Sequence, residues 1–286
     1  MRIEMIQDRL NEYSCKSPME EENAIKEIFQ EICLAGLSRS GFFKKAAFQG
    51  GTCLRIFYQL PRFSEDLDFI LQSPDPHFEM KNNLAFLQEE LRTFGFEFEI
   101  QDKSKANQAV KKAFLKNDSY GKVLTFQHSP RVAQSIPKKI QIKIEIDAKP
   151  PMGSEFEDKT LTYPFPFSAI VQDPRSLCAG KTHALLCRPY LKGRDWYDFL
   201  WYARKKTKLN YHFLNNALEQ TGPWAGTKLN VNESWIYTEL KNKINQVDWD
   251  LAKQDIQQLV QPHEIPSLEF WKKRFFWDQL NQWLSA

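Results

Sequence analysis

Two short motifs in this chain carry groups that can do chemistry. Gly50-Gly51-Thr52 is a flexible turn that can bring backbone N–H groups close to a phosphate. Asp66 and Asp68 are carboxylates two residues apart, the spacing that puts both on one face of an extended strand. A phosphate cradle beside paired carboxylates suits metal-dependent phosphoryl or nucleotidyl transfer. Further acids lie downstream, where Ile140, Ile142, Ile144 and Ile146 alternate with Lys139, Gln141, Lys143, Glu145 and Asp147. The isoleucine face is suited to packing on helices. The other face sets Lys143, Glu145 and Asp147 in a row, on the side of Asp66 and Asp68 if the two strands are neighbours. Carboxylates gathered there repel unless cations neutralise them. The plain alternative is a solvated antiparallel face.

The elements that must position these groups are legible in outline. Residues 1–45 read as helical, with Ile25, Ile28, Phe29, Ile32 and Cys33 forming an apolar stripe opposite acids. Ala46–Phe48 is a short strand feeding the glycine turn. Thr52 is suited to cap a helix that runs to Leu60 and stops at Pro61. Ser64–Leu71 alternates as a half-buried strand, Phe78–Phe94 reads as a helix and Phe96–Ile100 as a strand. Residues 103–117 are ambiguous, and 122–127 and 138–147 are strand-like. Residues 149–167, rich in Pro, Gly, Phe and Glu, read as a linker or crossing loop. Beyond them helical patterns dominate, at about 174–187, 193–206, 210–220, 231–244, 248–260 and 266–284, and all eight tryptophans lie from Trp196 onward. These read as helix-packing residues rather than base-stacking platforms. The expected organisation is a domain over 1–165 and a helical one over 166–286.

Composition narrows the class. At 286 residues, with 42% hydrophobic and 26% charged, the chain reads as globular and large enough for one or two cored domains. No apolar run is long enough for a membrane span, and no signal-peptide core opens the sequence, so a cytoplasmic location is expected. Cys15, Cys33, Cys53, Cys178 and Cys187 make no C-x-x-C pair, which argues against a disulfide framework or a zinc site. Net charge is +3, but residues 103–149 hold eleven Lys/Arg against three acids and 175–208 hold nine against two. Two such blocks point to a polyanion-facing side.

Taken together, Gly50-Gly51-Thr52, Arg55, Arg62-x-Ser64-x-Asp66-Leu67-Asp68-Phe69, the strand through Lys143 and Glu145, and Lys181 with Arg194-Asp195-x-x-Asp198 resemble one family. It is the AbiEii-like (MenT-type) toxin nucleotidyltransferases of bacterial toxin–antitoxin and phage-defence systems, within the polymerase-beta-like nucleotidyltransferase superfamily. The resemblance covers roughly residues 20 to 205. It implies an α+β fold: a polymerase-beta-like nucleotidyltransferase domain (a small mixed sheet with helices) followed by a helical C-terminal domain. It also implies an NTP substrate and two Mg²⁺ ions. Carried over by position, Gly50, Gly51 and Thr52 hold the triphosphate, with Arg55, Arg62 and Ser64 also in the nucleotide-binding set. Asp66 and Asp68 become metal ligands.

The third acid of the family sits in a strand of the form Lys-x-acid, which favours Glu145 over Asp147. Lys181 is assigned to phosphate, with Asp195 completing the site and Asp198 open. On spacing alone, Arg194 and Asp198 are an exposed helix pair worth about 0.3–0.5 kcal/mol. For Arg55, an alternative is anchorage of its helix to the Asp66–Asp68 strand. Ser64 is open between metal ligand, hydrogen-bond donor and modification target. The implied reaction moves NMP from an NTP to RNA, the 3′ end of tRNA being the expected acceptor, with a cognate antitoxin as partner. Transfer to a protein hydroxyl and a non-catalytic nucleotide-binding protein are the alternatives.

Overall fold

Ser17 starts the helix on which the first half of the chain is built: its hydroxyl accepts from the Glu20 N–H, Pro18 fixes the first turn, and acids fill the positive end. In the computed structural model, which describes residues 2–75, 77–93, 97–102, 119–127 and 139–284 (side chains of 2–4, 97–102, 119–127 and 139–141 excepted), this helix is α2 (Pro18–Arg39), preceded by α1 (Arg2–Glu12). Much of the first basic block, 103–118 and 128–138, lies outside the described residues.

The chain packs as two compact units. One comprises Met1–Gln59, Phe63–Pro150 and Phe156–Val171; the other comprises Leu60–Arg62, Pro151–Glu155 and Gln172–Ala286. The first carries a mixed sheet. Its elements are β1 (Ala46–Gln49), α3 (Gly50–Tyr58), β2 (Leu67–Leu71), α4 (Lys81–Thr93), β3 (Glu97–Asp102), β4 (Ser119–Gln127), β5 (Lys139–Asp147), β6 (Phe156–Leu161) and β7 (Phe167–Gln172). The strand order is β3-β4-β5-β2-β1-β7-β6. β2 runs antiparallel to β1 and parallel to β5, and β1 runs parallel to β7. Central position explains the nearly unbroken apolar composition of β1 and β2. Phe69 of β2 meets Phe42 edge-on at 4.9 Å and lies 5.2 Å from Phe48 of β1.

The second unit is helical, as expected: α5 (Pro174–Cys187), α6 (Gly193–Arg204), α7 (Tyr211–Gln220), α8 (Glu233–Gln246), α9 (Trp249–Ile256) and α10 (Lys273–Leu284). Asp173, Asn210, Asn232 and Asp248 cap four of them through side-chain oxygens. A Cβ at Gly193 would run into the Ala252 carbonyl, so glycine is what lets α6 approach α9. Trp196 is buried against Phe199, Trp249 and Phe276, and Trp249 stacks on Phe276 at 4.0 Å. Packing accounts for these tryptophans.

Four local expectations need correction. Residues 149–167 are not a mere linker, since they supply β6 and the start of β7; β6 is a sheet-edge strand of polar residues without the apolar alternation that marks a strand in sequence. The strand after Pro61 begins only at Leu67, leaving Ser64 and Asp66 in irregular backbone. The last predicted helix breaks at Trp271: Pro262–Phe270 is 3₁₀ with Pro266 inside it. The acids along α2 are not all a solvated face. From Ala24 to Leu37 that helix is buried nearly all round, including Glu27 and Glu31, whose partners are Arg55 and Arg9.

Glu31 carries a pH signature. Burial pushes its carboxyl up to about 7, with Glu27 and Glu12 adding to the shift and Arg9 opposing it. Its ordinary value is about 4.3. A carboxyl raised in the fold contributes stability that is complete below the ordinary value and fades as pH climbs through the folded one. The stability of wild type minus that of Glu31→Gln should therefore fall by on the order of 1–3 kcal/mol between about pH 5 and pH 8. Urea denaturation at each pH reads it, and a flat or rising difference contradicts the assignment.

Candidate active site

The site in the sheet unit begins with one close approach. β1 pairs with β2 so that Gln49 faces Asp68, and the chain turns at once into α3. Gly50 has φ +81°, and a Cβ there would collide with the Asp68 carboxylate. Both facts demand glycine. The turn is thus wrapped directly around the second aspartate. Gln49 gives α3 no side-chain cap, because its amide donates to the Phe69 carbonyl at 3.2 Å. First-turn N–H groups and the positive end of the helix dipole are what such a start offers an anion.

Thr52 is not the N-cap. It lies inside α3 and is fully buried, and its hydroxyl donates to the Asp66 carbonyl at 2.5 Å. Its observed contact is with the backbone of the first aspartate. Arg55, on the same helix, donates to Glu27 at 2.8 Å and lies 4.5 Å over the Phe63 ring. It ties α3 to α2.

β5 supplies the facing acid. In the parallel β2–β5 ladder Asp68 is the partner of Glu145, whereas Asp147 is the partner of Ile70. Directly opposite residues share a face, so the register puts Glu145 beside Asp68. Lys143, one position up the same face, is ion-paired with Glu145. Burial works against the charge of Lys143, but Glu145, Asp66 and Asp68 outweigh it and hold the ammonium above its ordinary value. Among the described residues no three His, Cys, Asp or Glu side chains already converge as a metal-holding group. The donors on this face are nonetheless all carboxylate oxygens, the type a hard divalent cation takes. The glycine cradle leaves the Asp68 carboxylate room that a side chain would fill. The residues fit such an ion.

A second charged cluster lies in the helical unit. Arg62 and Asp198 are both fully buried and joined in a two-pronged pair, Nε to Oδ1 and Nη2 to Oδ2, each 2.7 Å. Lys181 Nζ lies 2.7 Å from Asp198 Oδ2 and 3.6 Å from Asp195 Oδ1. Arg188, which no motif singles out, pairs with Asp195 Oδ2. Burial opposes the charge of Asp198, but Arg62 and Lys181 prevail and hold its carboxyl below the ordinary range. Asp195 Oδ1 is buried with no hydrogen-bond partner. Arg62, expected at the triphosphate, has its fork filled by Asp198. The partners of Asp198 here are Arg62 and Lys181, at sequence distances no local spacing rule reaches.

Breaking one side of a buried pair strands a charge and costs about 3–5 kcal/mol. Asp198→Ala and Arg62→Met should each destabilise the protein on that scale in urea melts. Their double variant should lose clearly less than the sum. Additive losses would show that the two groups do not depend on each other.

Comparison with known proteins follows the same lines. The family described as "Nucleotidyl transferase AbiEii toxin, Type IV TA system" matches residues 32–277. No curated protein matches by sequence. Among solved structures, MenT4, a nucleotidyltransferase toxin from Mycobacterium tuberculosis, is similar with a TM-score of 0.55 and 16% identity, over 99% of this chain and 89% of that one. JHP933 from Helicobacter pylori is similar with a TM-score of 0.53 and 15% identity, over 93% of each chain. At these identities the structures speak to fold alone; the family match spans most of the chain. The chain belongs to the AbiEii family of nucleotidyltransferase toxins, enzymes of type IV toxin–antitoxin systems that use an NTP and are paired with an antitoxin.

Proposed function

We propose that this enzyme transfers a nucleoside monophosphate from an NTP to a hydroxyl of RNA, with the 3′ end of tRNA as acceptor, in a Mg²⁺-dependent reaction in the cytoplasm. The observation that carries the reading is the juxtaposition of Gly50, Asp68 and Glu145 through the β1–β2 and β2–β5 registers. Asp66, Asp68 and Glu145 are the residues that would hold two Mg²⁺ ions. Such ions would supply activation of the attacking hydroxyl and countercharge for the departing pyrophosphate.

The start of α3, through Gly50 and Gly51, presents N–H groups to the triphosphate. The acceptor oxygen attacks the α-phosphorus, the bond to pyrophosphate breaks, and the hydroxyl proton leaves to a neighbouring carboxylate or water. Thr52 serves by fixing Asp66. In the helical unit, Lys181 is assigned to phosphate, with Asp195, 3.6 Å from it, completing the site. The basic stretch 175–208 supports a polyanionic acceptor.

The test incubates the purified protein with tRNA, Mg²⁺ and each α-labelled NTP in turn. Label should reach RNA with at least one NTP, vanish on chelation and return with Mg²⁺. Asp66→Ala should lower it by more than about a hundredfold, the scale of losing one preorganised charge-stabilising group. No label on any acceptor with folded protein overturns nucleotidyl transfer; label on a protein band alone overturns the RNA acceptor.

A further inference from the structure

We infer that Gln30, a residue of α2 outside the site described above, is a positioning residue for Asp66 and thereby sets the affinity of the site for its divalent metal. The inference rests on the nucleotidyl-transfer reading, because it presumes that Asp66 is a metal ligand. Gln30 is 1% exposed on a helix otherwise lined by Ile25, Ile28, Phe29 and Ile32. A buried amide costs free energy unless bonded. Both donors of Nε2 are used, and both on one short segment: 3.0 Å to the Ser64 carbonyl and 2.9 Å to the Glu65 carbonyl. The next carbonyl, that of Asp66, accepts from Thr52.

Three consecutive carbonyls, 64 to 66, are therefore pinned by two buried side chains. The segment needs this because the β2 ladder begins only at Leu67. The two clamps come from different helices that are themselves tied together. Arg55 of α3 reaches Glu27, one turn before Gln30 on α2. Gln30–Ser64/Glu65, Thr52–Asp66 and Arg55–Glu27 form a closed frame around the aspartate.

A metal ligand must sit within about 0.5 Å of its productive position. Outer residues that orient ligands typically change metal affinity by 10–100-fold when lost. Ser64 is half-buried and Glu65 exposed, and both bonds from Gln30 are only part-buried. Removing the amide should therefore loosen Asp66 more than it unfolds the protein.

Mn²⁺ binding to the full chain, followed by electron paramagnetic resonance, reads this without any turnover. Gln30→Met keeps the volume and removes the donors; Gln30→Glu keeps the shape and replaces the two N–H donors with a carboxylate. Each should bind Mn²⁺ at least about tenfold more weakly than wild type and exchange the amides of residues 64–66 faster. In the transfer assay the half-maximal Mg²⁺ concentration should rise while KM for tRNA stays put. A folded variant that binds Mn²⁺ within about twofold of wild type overturns the inference. So does failure of both variants to fold, which would make Gln30 a folding residue only. Wild-type protein that neither binds Mn²⁺ nor transfers label overturns nucleotidyl transfer itself, a result distinguishable from an unaffected variant of an active enzyme.

Discussion

Carboxylates held side by side repel, and the sheet unit is arranged around that constraint. Neighbouring strands lie about 4.8 Å apart. Two unit charges near that distance cost roughly 3 kcal/mol at an effective dielectric of about 20. Asp68 and Glu145 are placed in this relation by a parallel ladder, with Asp66 two residues from the former. Nothing about β-structure favours such a row. It survives because β2 is anchored on both sides, by β1 and by β5, and because its other residues, Leu67, Phe69, Ile70 and Leu71, are fully buried. Lys143 provides part of the countercharge. An ammonium is mobile and singly charged, and a divalent ion relieves the same repulsion with twice the charge.

The helical unit treats its carboxylates differently. Asp198 receives a planar fork from Arg62 and an ammonium from Lys181, at zero exposure. Such a cluster adds little net stability over apolar packing, yet it is intolerant of losing a member. Arginine suits the inner position because its fork matches both carboxylate oxygens at once and its charge is permanent. The strand face around Asp68 and the core around Asp198 thus hold their acids in different settings, one partly exposed and one fully buried between two cations.

That contrast explains how far the sequence could be read. The aspartate pair and the glycine turn are visible because the chemistry demands those residue types at short range. Glu145 is visible because alternation with isoleucine reports its face; only the register separates it from Asp147. The helical, tryptophan-rich half follows from periodicity. Residue type alone cannot say which arginine meets a ligand and which a buried acid: the Asp198 that Arg62 grips lies 136 residues away. Gln30 and Arg188 left no pattern, since each acts through a contact at a distance set by the fold. The polar edge strand β6 was missed because an edge needs little apolar surface to pair.

The double grip of Arg62 has a consequence for Lys181. If Asp198 were held by Lys181 alone, turning that lysine toward a phosphate would strand a buried carboxylate at a cost of several kcal/mol. Arg62 already meets both oxygens of Asp198, so the lysine adds a third contact to a carboxylate that keeps a countercharge without it. Asp195 is likewise held on one oxygen by Arg188, while its other oxygen lies 3.6 Å from Lys181 without a hydrogen bond. The two arginines therefore carry the structural load of the two acids. Lys181, with its side chain 15% exposed, is the more accessible of the two cations that Asp198 meets, Arg62 being fully buried.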